Sequence, residues 1–430
     1  MKIILIIIDG LGDKPIPQLG NKTPLEVAKT PNLDWLAKNG ICGQALPFRF
    51  PRQEKPESDT CHLALLGYDP KIYYLGRGPY EAAGIGINLK EGDLALRVNF
   101  ATLDPEGVAS RPYGAGKNLK VIDRRAGRIE KTQPLIDSLK GIEIGGVKFL
   151  MKKSWGHRAV LVLRGRNLSA KVSNSDPHRV GSEIKSIVAK NKSVRAIFTA
   201  DILNKFLYKS HQILEKHPFN KKREEKGLLP ANCILTRGTG FFIKTPSFKK
   251  RYGLSACCIA GGALYKGIGK ILGMDLIKVK GATGFPNTNL KGKFLAAKRA
   301  LRKYNFIFLH IKATDSLAED ENFKGKKEFI ERIDKNIKTL ITEPCSSRAK
   351  GKMRTKSSSP NLKNTFIVVT ADHSTCSLLK RHCSELIPIL IYGNGKDSVK
   401  KFSEKTCKKG KLGIIKQLEL IPRLLDLAKI

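Results

Sequence analysis

Three apolar runs in this chain each lead into an acidic residue. They read KIILIIID, ending in Asp9, NFIFLHIKATD, ending in Asp315, and NTFIVVTADH, ending in Asp372 and His373. Runs without polar alternation are typical of strands that are buried on both faces of a parallel sheet. Ligands of such sheets bind at the carboxyl ends of the strands. The pattern therefore predicts that acids and a histidine converge at one sheet edge, where they would suit a divalent metal.

The segments between these runs favour helices. The stretch 23–40 has a capping threonine, early prolines and a terminal glycine, and SDTCHLALLGYDP is predicted to open a short helix at Ser58. ACCIA (256–260) is predicted as a strand, GGALYKGIGKILGM (261–274) as a helix and IPILIYG (387–393) as a strand. Strands that alternate with helices predict an α/β fold whose mainly parallel sheet is flanked by helices.

The length of the chain predicts more than one domain. A chain of 430 residues, 41% of them hydrophobic, exceeds what a single core usually holds. The middle of the chain also differs, because arginines and histidines there lie beside glycines or turns, as in VIDRRAGRI, WGHRAVLVLRG, SNSDPHRVG and NCILTRGTG. We therefore predict an inserted second α/β domain at 111–245, between the two parts of a catalytic domain at 1–110 and 246–430.

Other features of the composition exclude some classes of protein. No apolar run reaches the roughly 18 residues that a membrane helix needs, and the first run is too short for a signal peptide. We therefore expect no membrane association. Nine cysteines without a C-x-x-C pair indicate reduced thiols rather than a disulfide framework, which predicts a cytoplasmic protein.

The net charge of +41 raises the question of a nucleic-acid partner. The lysines are scattered, and the densest basic run, RAKGKMRTKSSSPNLK (348–363), lies among serines and glycines that are typical of a solvated loop. Aromatic residues do not accompany the lysines in the way that single-strand binders require. We therefore expect no specific nucleic-acid partner, and the sequence gives no reason for the charge.

Several strings, taken in order, carry a resemblance to a known family. The chain resembles the archaeal-type cofactor-independent phosphoglycerate mutases, which belong to the alkaline phosphatase superfamily. The strings are IIDGLGD, TPLEVAKTPNLDWLAKNG, SDTCHLALLGYDP, GRGPYEAAG, DRRAGRI, HRAVLVLRG, LTRGTG, CCIAGGALYKGI, HIKATDS, TADHST and IPILIYG. The resemblance implies an alkaline-phosphatase-like sheet that carries an inserted domain.

The resemblance also implies an activity and its metal ligands. Members of the family interconvert 3-phosphoglycerate and 2-phosphoglycerate through a phosphoserine at a two-metal site, in glycolysis and gluconeogenesis. The nucleophile falls on Ser58, and Mn²⁺ is the metal that we expect, with Mg²⁺, Co²⁺ and Zn²⁺ as alternatives. The residues implied as ligands are Asp9, Ser58, Asp372 and His373 for one ion, and Asp315, Glu319 and His382 for the other.

Further roles are implied for residues outside the metal ligands. His62 and Lys266 match catalytic positions, although packing of His62 and solvation of Lys266 are the ordinary alternatives. The residues expected to bind the glycerate are Arg124, Arg128, His157, Arg158, Asp176 and Arg237. Their charge suits a phosphorylated carboxylic acid, because guanidinium groups bind carboxylates and phosphates by two parallel hydrogen bonds.

The chain departs from the family at one predicted metal ligand. Glu319 stands where the family pattern has a histidine, while Cys376 replaces a proline and Glu385 an aspartate. Glutamate still offers a hard oxygen ligand that favours Mn²⁺ or Mg²⁺ over Zn²⁺, but it could instead face solvent. Two other functions stay open at this point. One is a metal-dependent phosphatase or a mutase of another phosphorylated metabolite, and the other is an impaired relative that binds an acidic partner.

Overall fold

The structure is a computed structural model that describes residues 1–104, 119–341 and 364–427. The predicted basic loop at 348–363 lies outside the described residues. The strands are β1 (Lys2–Ile8), β2 (Gly40–Leu46), β3 (Leu94–Leu103), β4 (Val121–Asp123), β5 (Glu143–Ile144), β6 (Val147–Lys153), β7 (Arg158–Arg164), β8 (Cys233–Phe241), β9 (Ala256–Ile259), β10 (Asp275–Leu276), β11 (Phe306–Ile311), β12 (Thr365–Thr370), β13 (Ser374–Cys376), β14 (Arg381–Cys383), β15 (Ile387–Tyr392) and β16 (Gly413–Lys416).

Helices separate most of these strands. They are α1 (Pro24–Val27), α2 (Pro31–Lys38), α3 (Ser58–Leu65), α4 (Pro70–Tyr73), α5 (Arg77–Gly84), α6 (Gln133–Asp137), α7 (Val194–Glu215), α8 (Pro218–Glu224), α9 (Phe248–Tyr252), α10 (Ala263–Ile271), α11 (Leu290–Ala300), α12 (Ala313–Glu319), α13 (Phe323–Ile341), α14 (Glu404–Cys407) and α15 (Leu420–Leu427). Single turns of 3-10 helix lie at Pro17–Leu19, Ser377–Leu379 and Gln417–Glu419.

The chain forms two compact units. The first contains Met1–Tyr74 and Thr245–Ile430, and the second contains Leu75–Lys244. The predicted boundary at 246 lies next to the observed one, but the predicted boundary at 111 is wrong. Strand β3 belongs to the second unit because it pairs with β7 and β8, and a long-range pairing of this kind leaves no local mark on the sequence.

The first unit is built on an eight-stranded sheet in the order β10-β9-β11-β1-β12-β15-β2-β16. Only the pairings of β15 with β12 and β2 are antiparallel, so the predicted α/β fold with a mainly parallel sheet and flanking helices is confirmed. In the centre, Ile8 pairs with Ile311 and Ile7 with Thr370. These registers end three strands at one edge, shortly before Asp9, Asp372 and, in the first turn of α12, Asp315.

Local sequence explains where helix α1 begins, where helix α2 ends and where strand β2 begins. The side chain of Thr23 accepts a hydrogen bond from the backbone of Glu26, whose carboxylate accepts one in return, so α1 begins with a capping box. Helix α2 ends at Lys38, and Gly40 begins β2 instead of closing the helix. A methyl group at Gly40 would lie 2.6 Å from the carbonyl oxygen of Ile391, which explains the glycine.

The second unit is an antiparallel sheet whose larger core lies on one face, while a smaller apolar cluster lies under α5 on the other face. Strand β3 is its centre, since it pairs with β4, β7 and β8. Alternate residues of β3, namely Leu96, Val98 and Phe100, are fully buried in that core. Helix α7 contributes Phe206 to the same core, and its ring stacks on Phe149 at 4.4 Å. The predicted inserted α/β architecture is therefore present, with β3 as an additional strand.

The expectation of reduced cysteines is wrong for one pair. Cys376 and Cys383 form a disulfide across the β13–β14 hairpin, with their Cα atoms 6.0 Å apart. The two cysteines are seven residues apart, so only the hairpin brings them within bonding range. Six other described cysteines are free and buried, namely Cys42, Cys61, Cys233, Cys257, Cys258 and Cys407.

Within the described ranges, no helix has the length and apolar character needed to cross a membrane.

Candidate metal centre and arginine cluster

Acids and histidines converge in the first unit, at the carboxyl ends of β1, β11 and β12. We call this group the acid–histidine cluster, and its members are Asp9, Ser58, Asp315, Asp372, His373 and His382. All of them except His382 are buried, and only about a tenth of the His382 side chain is exposed. Five of these residues come from segments that the strand-end pattern or the TADH motif had already indicated, and Ser58 begins α3 as predicted.

The first part of the cluster surrounds the hydroxyl group of Ser58. Nε2 of His373 lies 3.0 Å from Oγ of Ser58, 3.1 Å from Oδ2 of Asp372 and 3.8 Å from Oδ1 of Asp9. Oδ1 of Asp372 accepts a hydrogen bond from the backbone of Gly10. Ligand atoms of Asp9, Asp372 and His373 lie within 4.8 Å of one another, which is close enough for one cation to contact all three.

The second part of the cluster shares His373 with the first. Ligand atoms of Asp315, His373 and His382 also lie within 4.8 Å of one another, and the two imidazole rings stack at 3.7 Å. Nδ1 of His382 lies 2.9 Å from the carbonyl oxygen of Pro56, which can only accept a hydrogen bond. In the neutral ring, Nδ1 therefore carries the proton and Nε2 is left as a metal ligand.

Thr375 places the ring proton of His373 on Nδ1, as the carbonyl oxygen of Pro56 does for His382. Its hydroxyl donates to Oδ1 of Asp315 at 2.7 Å and lies 3.3 Å from Nδ1 of His373. Because the threonine proton is used toward the carboxylate, its oxygen can accept from Nδ1–H of the histidine. Nε2 of His373 then faces Ser58 and the two aspartates with its lone pair.

Buried oxygens without partners show that the cluster fits a metal. Oδ1 of Asp9 and Oδ2 of Asp372 are buried and accept no hydrogen bond from the described residues. A buried carboxylate oxygen without a partner lowers the stability of the folded protein unless a cation binds to it. Carboxylate oxygens and imidazole nitrogens together form the donor set that Mn²⁺ and related divalent ions accept.

The acids of the cluster have opposed pKa shifts. Burial raises the pKa of Asp372 well above its usual value, and the carboxylates of Asp9 and Asp315 raise it further. Burial would also raise the pKa of Asp9 and of Asp315, but the ammonium of Lys312 lowers both. Three carboxylates so close together cannot all be ionised at low cost without additional positive charge, so metal binding should release protons.

Lys312 is a member of the site that the sequence interpretation did not assign. Its Nζ lies 2.6 Å from Oδ2 of Asp315 and 3.6 Å from Oδ2 of Asp9, so it joins the acids of two strand ends. The signal was present in the motif HIKATD, where a lysine follows a buried strand three residues before an acid. The same ammonium could also face an anionic substrate.

Glu319 lies at the edge of the cluster. Its Oε1 is 3.9 Å from Nε2 of His382, and 51% of its side chain is exposed. Burial and the carboxylate of Asp315 raise the pKa of Glu319, so its negative charge is disfavoured there without a cation. The glutamate points toward the ligand nitrogen of His382, and its ligation of a metal stays a prediction.

His62 and Lys266 have different surroundings. His62 is fully buried one turn after Ser58, its Nδ1 lies 2.6 Å from the carbonyl oxygen of Ser58, and its ring packs on Tyr265 at 4.8 Å. These contacts suit a residue that supports the start of α3. Lys266 is partly exposed on α10, and its catalytic role stays a prediction.

The second unit contains an arginine cluster, formed by Arg77, Arg97, Arg158 and Arg237 around Glu81. Nε of Arg77 donates to Oε1 of Glu81 at 2.9 Å, and Arg97 lies 3.5 Å from the same oxygen. Burial would raise the pKa of Glu81, but Arg97 and Arg77 lower it to about 2. One carboxylate therefore faces several guanidinium groups, which leaves positive charge for an anion.

Strand pairing accounts for how the arginine cluster is assembled. Arg97 of β3 pairs with Arg237 of β8, and Asn99 pairs with Arg158 of β7. The Nε atoms of Arg97 and Arg237 are buried and donate no hydrogen bond within the described part of the chain. A buried N–H group without an acceptor lowers the stability of the folded protein unless a bound ligand accepts its hydrogen bond. Arg77, Glu81 and Arg97 were not assigned from the sequence.

Other residues predicted to bind substrate lie around this cluster. Both terminal oxygens of Asp176 accept hydrogen bonds from Arg124, at 3.0 and 2.7 Å, and Nε of Arg237 lies 3.7 Å from one of them. Burial lowers the pKa of His157 to about 3, and Arg158 contributes to the shift, so this imidazole is neutral near pH 7. Arg128 instead lies exposed in a turn with a φ of 57°, and its role stays a prediction.

Comparison with known proteins gives consistent results. A family model described as 2,3-bisphosphoglycerate-independent phosphoglycerate mutase matches residues 37–220, and a Metalloenzyme superfamily model matches residues 358–426. The second match contains Asp372, His373 and His382 of the acid–histidine cluster.

Full-length relatives carry the same name. A 2,3-bisphosphoglycerate-independent phosphoglycerate mutase of Archaeoglobus fulgidus is 45% identical over 100% of this chain and 98% of its own length. One from Methanocaldococcus jannaschii is 42% identical over 99% of this chain and 97% of its own length.

Solved structures extend the likeness to three dimensions. The PH0037 protein of Pyrococcus horikoshii has a TM-score of 0.79 and 32% identity, over 100% of this chain and 97% of its own. A cofactor-independent phosphoglycerate mutase of Thermoplasma acidophilum has a TM-score of 0.68 and 34% identity, with both chains fully covered. From its sequence, its fold and its relatives, this chain belongs to the 2,3-bisphosphoglycerate-independent phosphoglycerate mutase family.

Proposed function

We propose that this chain interconverts 3-phosphoglycerate and 2-phosphoglycerate by carrying the phosphoryl group on Ser58, beside two divalent metal ions. The observation that supports this most directly is the surrounding of the Ser58 hydroxyl, which lies 3.0 Å from His373 at the start of α3. Free backbone N–H groups at a helix start favour phosphate oxygens. The reaction belongs to glycolysis and gluconeogenesis, as the family membership implies.

The atoms of the proposed reaction balance in two mirrored steps. Oγ of Ser58 attacks phosphorus, the bond from phosphorus to O3 of the glycerate breaks, and the serine proton ends on O3. The glycerate then turns, its O2 attacks the phosphoserine, the bond from phosphorus to Oγ breaks, and the proton of O2 returns to the serine. Nothing is consumed, so free 2,3-bisphosphoglycerate is not required.

The residues that would hold the metals follow from the open donor atoms. We assign Asp9, Ser58, Asp372 and His373 to one ion, and Asp315, Glu319 and His382 to the other, with Mn²⁺ preferred. When bound, such ions lower the pKa of a serine hydroxyl and neutralise phosphoryl oxygens. Lys312 adds a fixed positive charge next to Asp9 and Asp315, and Lys266 is a further candidate for contact with the phosphoryl group.

The arginine cluster would bind the carboxylate of the glycerate. Arg97 and Arg237 have buried Nε–H groups with no acceptor within hydrogen-bond distance among the described residues, and a carboxylate would satisfy them. Arg158, Arg124 with its partner Asp176, and neutral His157 complete the proposed pocket. Retention of the glycerate is what separates a mutase from a phosphatase, because a released glycerate would leave the phosphoserine to water.

Arg237→Lys is expected to weaken substrate binding, although the positive charge at this position is kept. Lysine cannot reproduce the planar fork, so we expect KM for 3-phosphoglycerate to rise by roughly 10- to 100-fold, as for loss of a hydrogen bond to a charged group. Release of inorganic phosphate per turnover should rise at the same time. Arg166→Lys is the matched control, because Arg166 is exposed in the same unit. An unchanged KM for Arg237→Lys would remove this residue from the proposed pocket.

Glu319→His is expected to change the metal preference of the second site. An imidazole in place of the carboxylate removes a negative charge and supplies the nitrogen ligand that Zn²⁺ favours, so we expect Zn²⁺ affinity relative to Mn²⁺ to rise by about tenfold or more. Calorimetric titration with each metal measures the ratio. Glu321→His is the control, since Glu321 lies two residues away and binds Lys380 at the surface. Equal ratios in all three proteins would show that residue 319 does not ligate the metal.

An enolase-coupled assay distinguishes the proposed reaction from its alternatives. With 3-phosphoglycerate, Mn²⁺ and no 2,3-bisphosphoglycerate, a mutase supplies 2-phosphoglycerate to enolase. A phosphatase would instead release inorganic phosphate from the same substrate. If neither product forms from 3-phosphoglycerate in the metal-loaded protein, the proposed function is wrong.

A further inference from the structure

Tyr265 and His310 lie behind the acid–histidine cluster and hold Asp9 from one side. The hydroxyl of Tyr265 donates a hydrogen bond to Oδ2 of Asp9, and Nε2 of His310 lies 3.2 Å from the same oxygen. All three side chains are buried. Neither Tyr265 nor His310 belongs to the metal ligands or to the proposed substrate pocket.

The two oxygens of Asp9 are therefore in different situations. Oδ2 accepts from Tyr265, faces His310 and lies 3.6 Å from Nζ of Lys312. Oδ1 is buried, accepts no hydrogen bond from the described residues, and faces Nε2 of His373 at 3.8 Å. One oxygen is saturated by the protein, and the other is open toward the first group of ligands.

Packing fixes the tyrosine ring in this position. The rings of Tyr265 and His310 stack with their centres 3.4 Å apart. Gly262, the residue before α10, allows this placement, because a methyl group there would lie 3.0 Å from two ring carbons of Tyr265. The φ of Gly262 is −82°, which any residue can adopt, so the glycine is explained by space rather than by backbone conformation.

We infer that Tyr265 is a positioning residue which, together with His310, fixes Asp9 as a one-oxygen metal ligand through Oδ1. The inference rests on the proposed role of Asp9 as a ligand. A phenol that occupies Oδ2 prevents the carboxylate from rotating or from binding the ion through both oxygens. Groups that hold a ligand in this way commonly contribute a factor of about 10 to 100 in metal affinity.

Tyr265→Phe removes the hydroxyl and keeps the stacked ring. We expect Mn²⁺ affinity at one of the two sites to fall by about 10- to 100-fold in calorimetric titration. The melting temperature of the chelated, metal-free protein should stay close to that of the wild type, whereas the increase in melting temperature on adding Mn²⁺ should become smaller. Gly262→Ala, which displaces the ring but keeps the hydroxyl, should weaken Mn²⁺ binding in the same direction.

Two controls separate failure of this inference from failure of the proposed function. Tyr304→Phe removes a similar bond at the surface, from the tyrosine hydroxyl to Asp275 at 2.7 Å, and should leave Mn²⁺ affinity unchanged. Asp9→Ala should abolish binding at the same site. If Asp9→Ala loses Mn²⁺ but Tyr265→Phe binds it like the wild type, the inference is overturned and the proposed function stands. If Asp9→Ala binds Mn²⁺ normally, the proposed ligand set fails, and the inference fails with it.

Discussion

Replacement of Ser58 by alanine is expected to abolish phosphoglycerate mutase activity while the protein stays folded. Loss of a covalent nucleophile in other enzymes costs several orders of magnitude, so we expect kcat to fall by more than about 10,000-fold. The free energy of unfolding should change by less than about 1 kcal/mol, because a single neutral hydroxyl contributes little to stability. The enolase-coupled rate and a thermal melt measure the two quantities.

A serine outside the cluster provides the control for this variant. Ser138 donates its hydroxyl proton to the carbonyl oxygen of Leu135 in the second unit, so Ser138→Ala also removes a hydroxyl that makes one contact. Its activity should match that of the wild type. Ordinary turnover by Ser58→Ala would exclude a phosphoserine mechanism at this position.

Removal of the metals is expected to reduce mutase activity as strongly as Ser58→Ala does. In Asp372→Asn, added Mn²⁺ should not restore the activity. Excess chelator should abolish activity in the wild type, and added Mn²⁺ should restore it. In Asp372→Asn the amide oxygen can still accept from the backbone of Gly10, but it carries no negative charge for a cation. Loss of a group that only hydrogen-bonds a ligand lowers metal affinity by about 10- to 100-fold. Asp372 is proposed as a ligand itself, so we expect this variant to bind Mn²⁺ more than about 100-fold more weakly than the wild type.

The comparison variant for Asp372 is Asp201→Asn. Asp201 is half-exposed on α7 and pairs with Lys205 at the surface, so its loss should change neither Mn²⁺ affinity nor turnover. Full wild-type activity after prolonged chelation would contradict the metal-dependent account. If Mn²⁺ restores the activity of Asp372→Asn at the concentrations that restore the wild type, Asp372 is not a metal ligand.

Much of the acid–histidine cluster could be predicted from the sequence because most of its residues lie at strand ends. A buried, β-branched strand is visible in the sequence, and parallel strands end at the same edge, so Asp9, Asp315 and Asp372 could be placed together from the sequence alone. Ser58 was readable as the first residue of a short helix. Their convergence with His382 depends on the β13–β14 hairpin, which was not predicted.

Neither the strand pairing that sets the domain boundary nor the disulfide was predicted. The boundary at Leu75 depends on the pairing of β3 with β7 and β8, and the disulfide depends on the fold of a hairpin. Arg97 did leave a trace, because it and Asn99 are the two polar side chains in the otherwise apolar start of LALRVNFATL, two positions apart. Residues two apart share one face of a strand, so this pattern indicates a polar site on a buried sheet. Tyr265 had no such mark.

Identification of the residue that carries the phosphoryl group tests the central claim most directly. Enzyme loaded with Mn²⁺ is mixed with 3-phosphoglycerate labelled in its phosphoryl group, quenched in acid within one turnover and digested for mass spectrometry. We expect the label on the peptide that contains Ser58, with no 2,3-bisphosphoglycerate added, and no label in Ser58→Ala. A label on a different residue, or an unlabelled protein in a sample that produces 2-phosphoglycerate, would contradict the phosphoserine account.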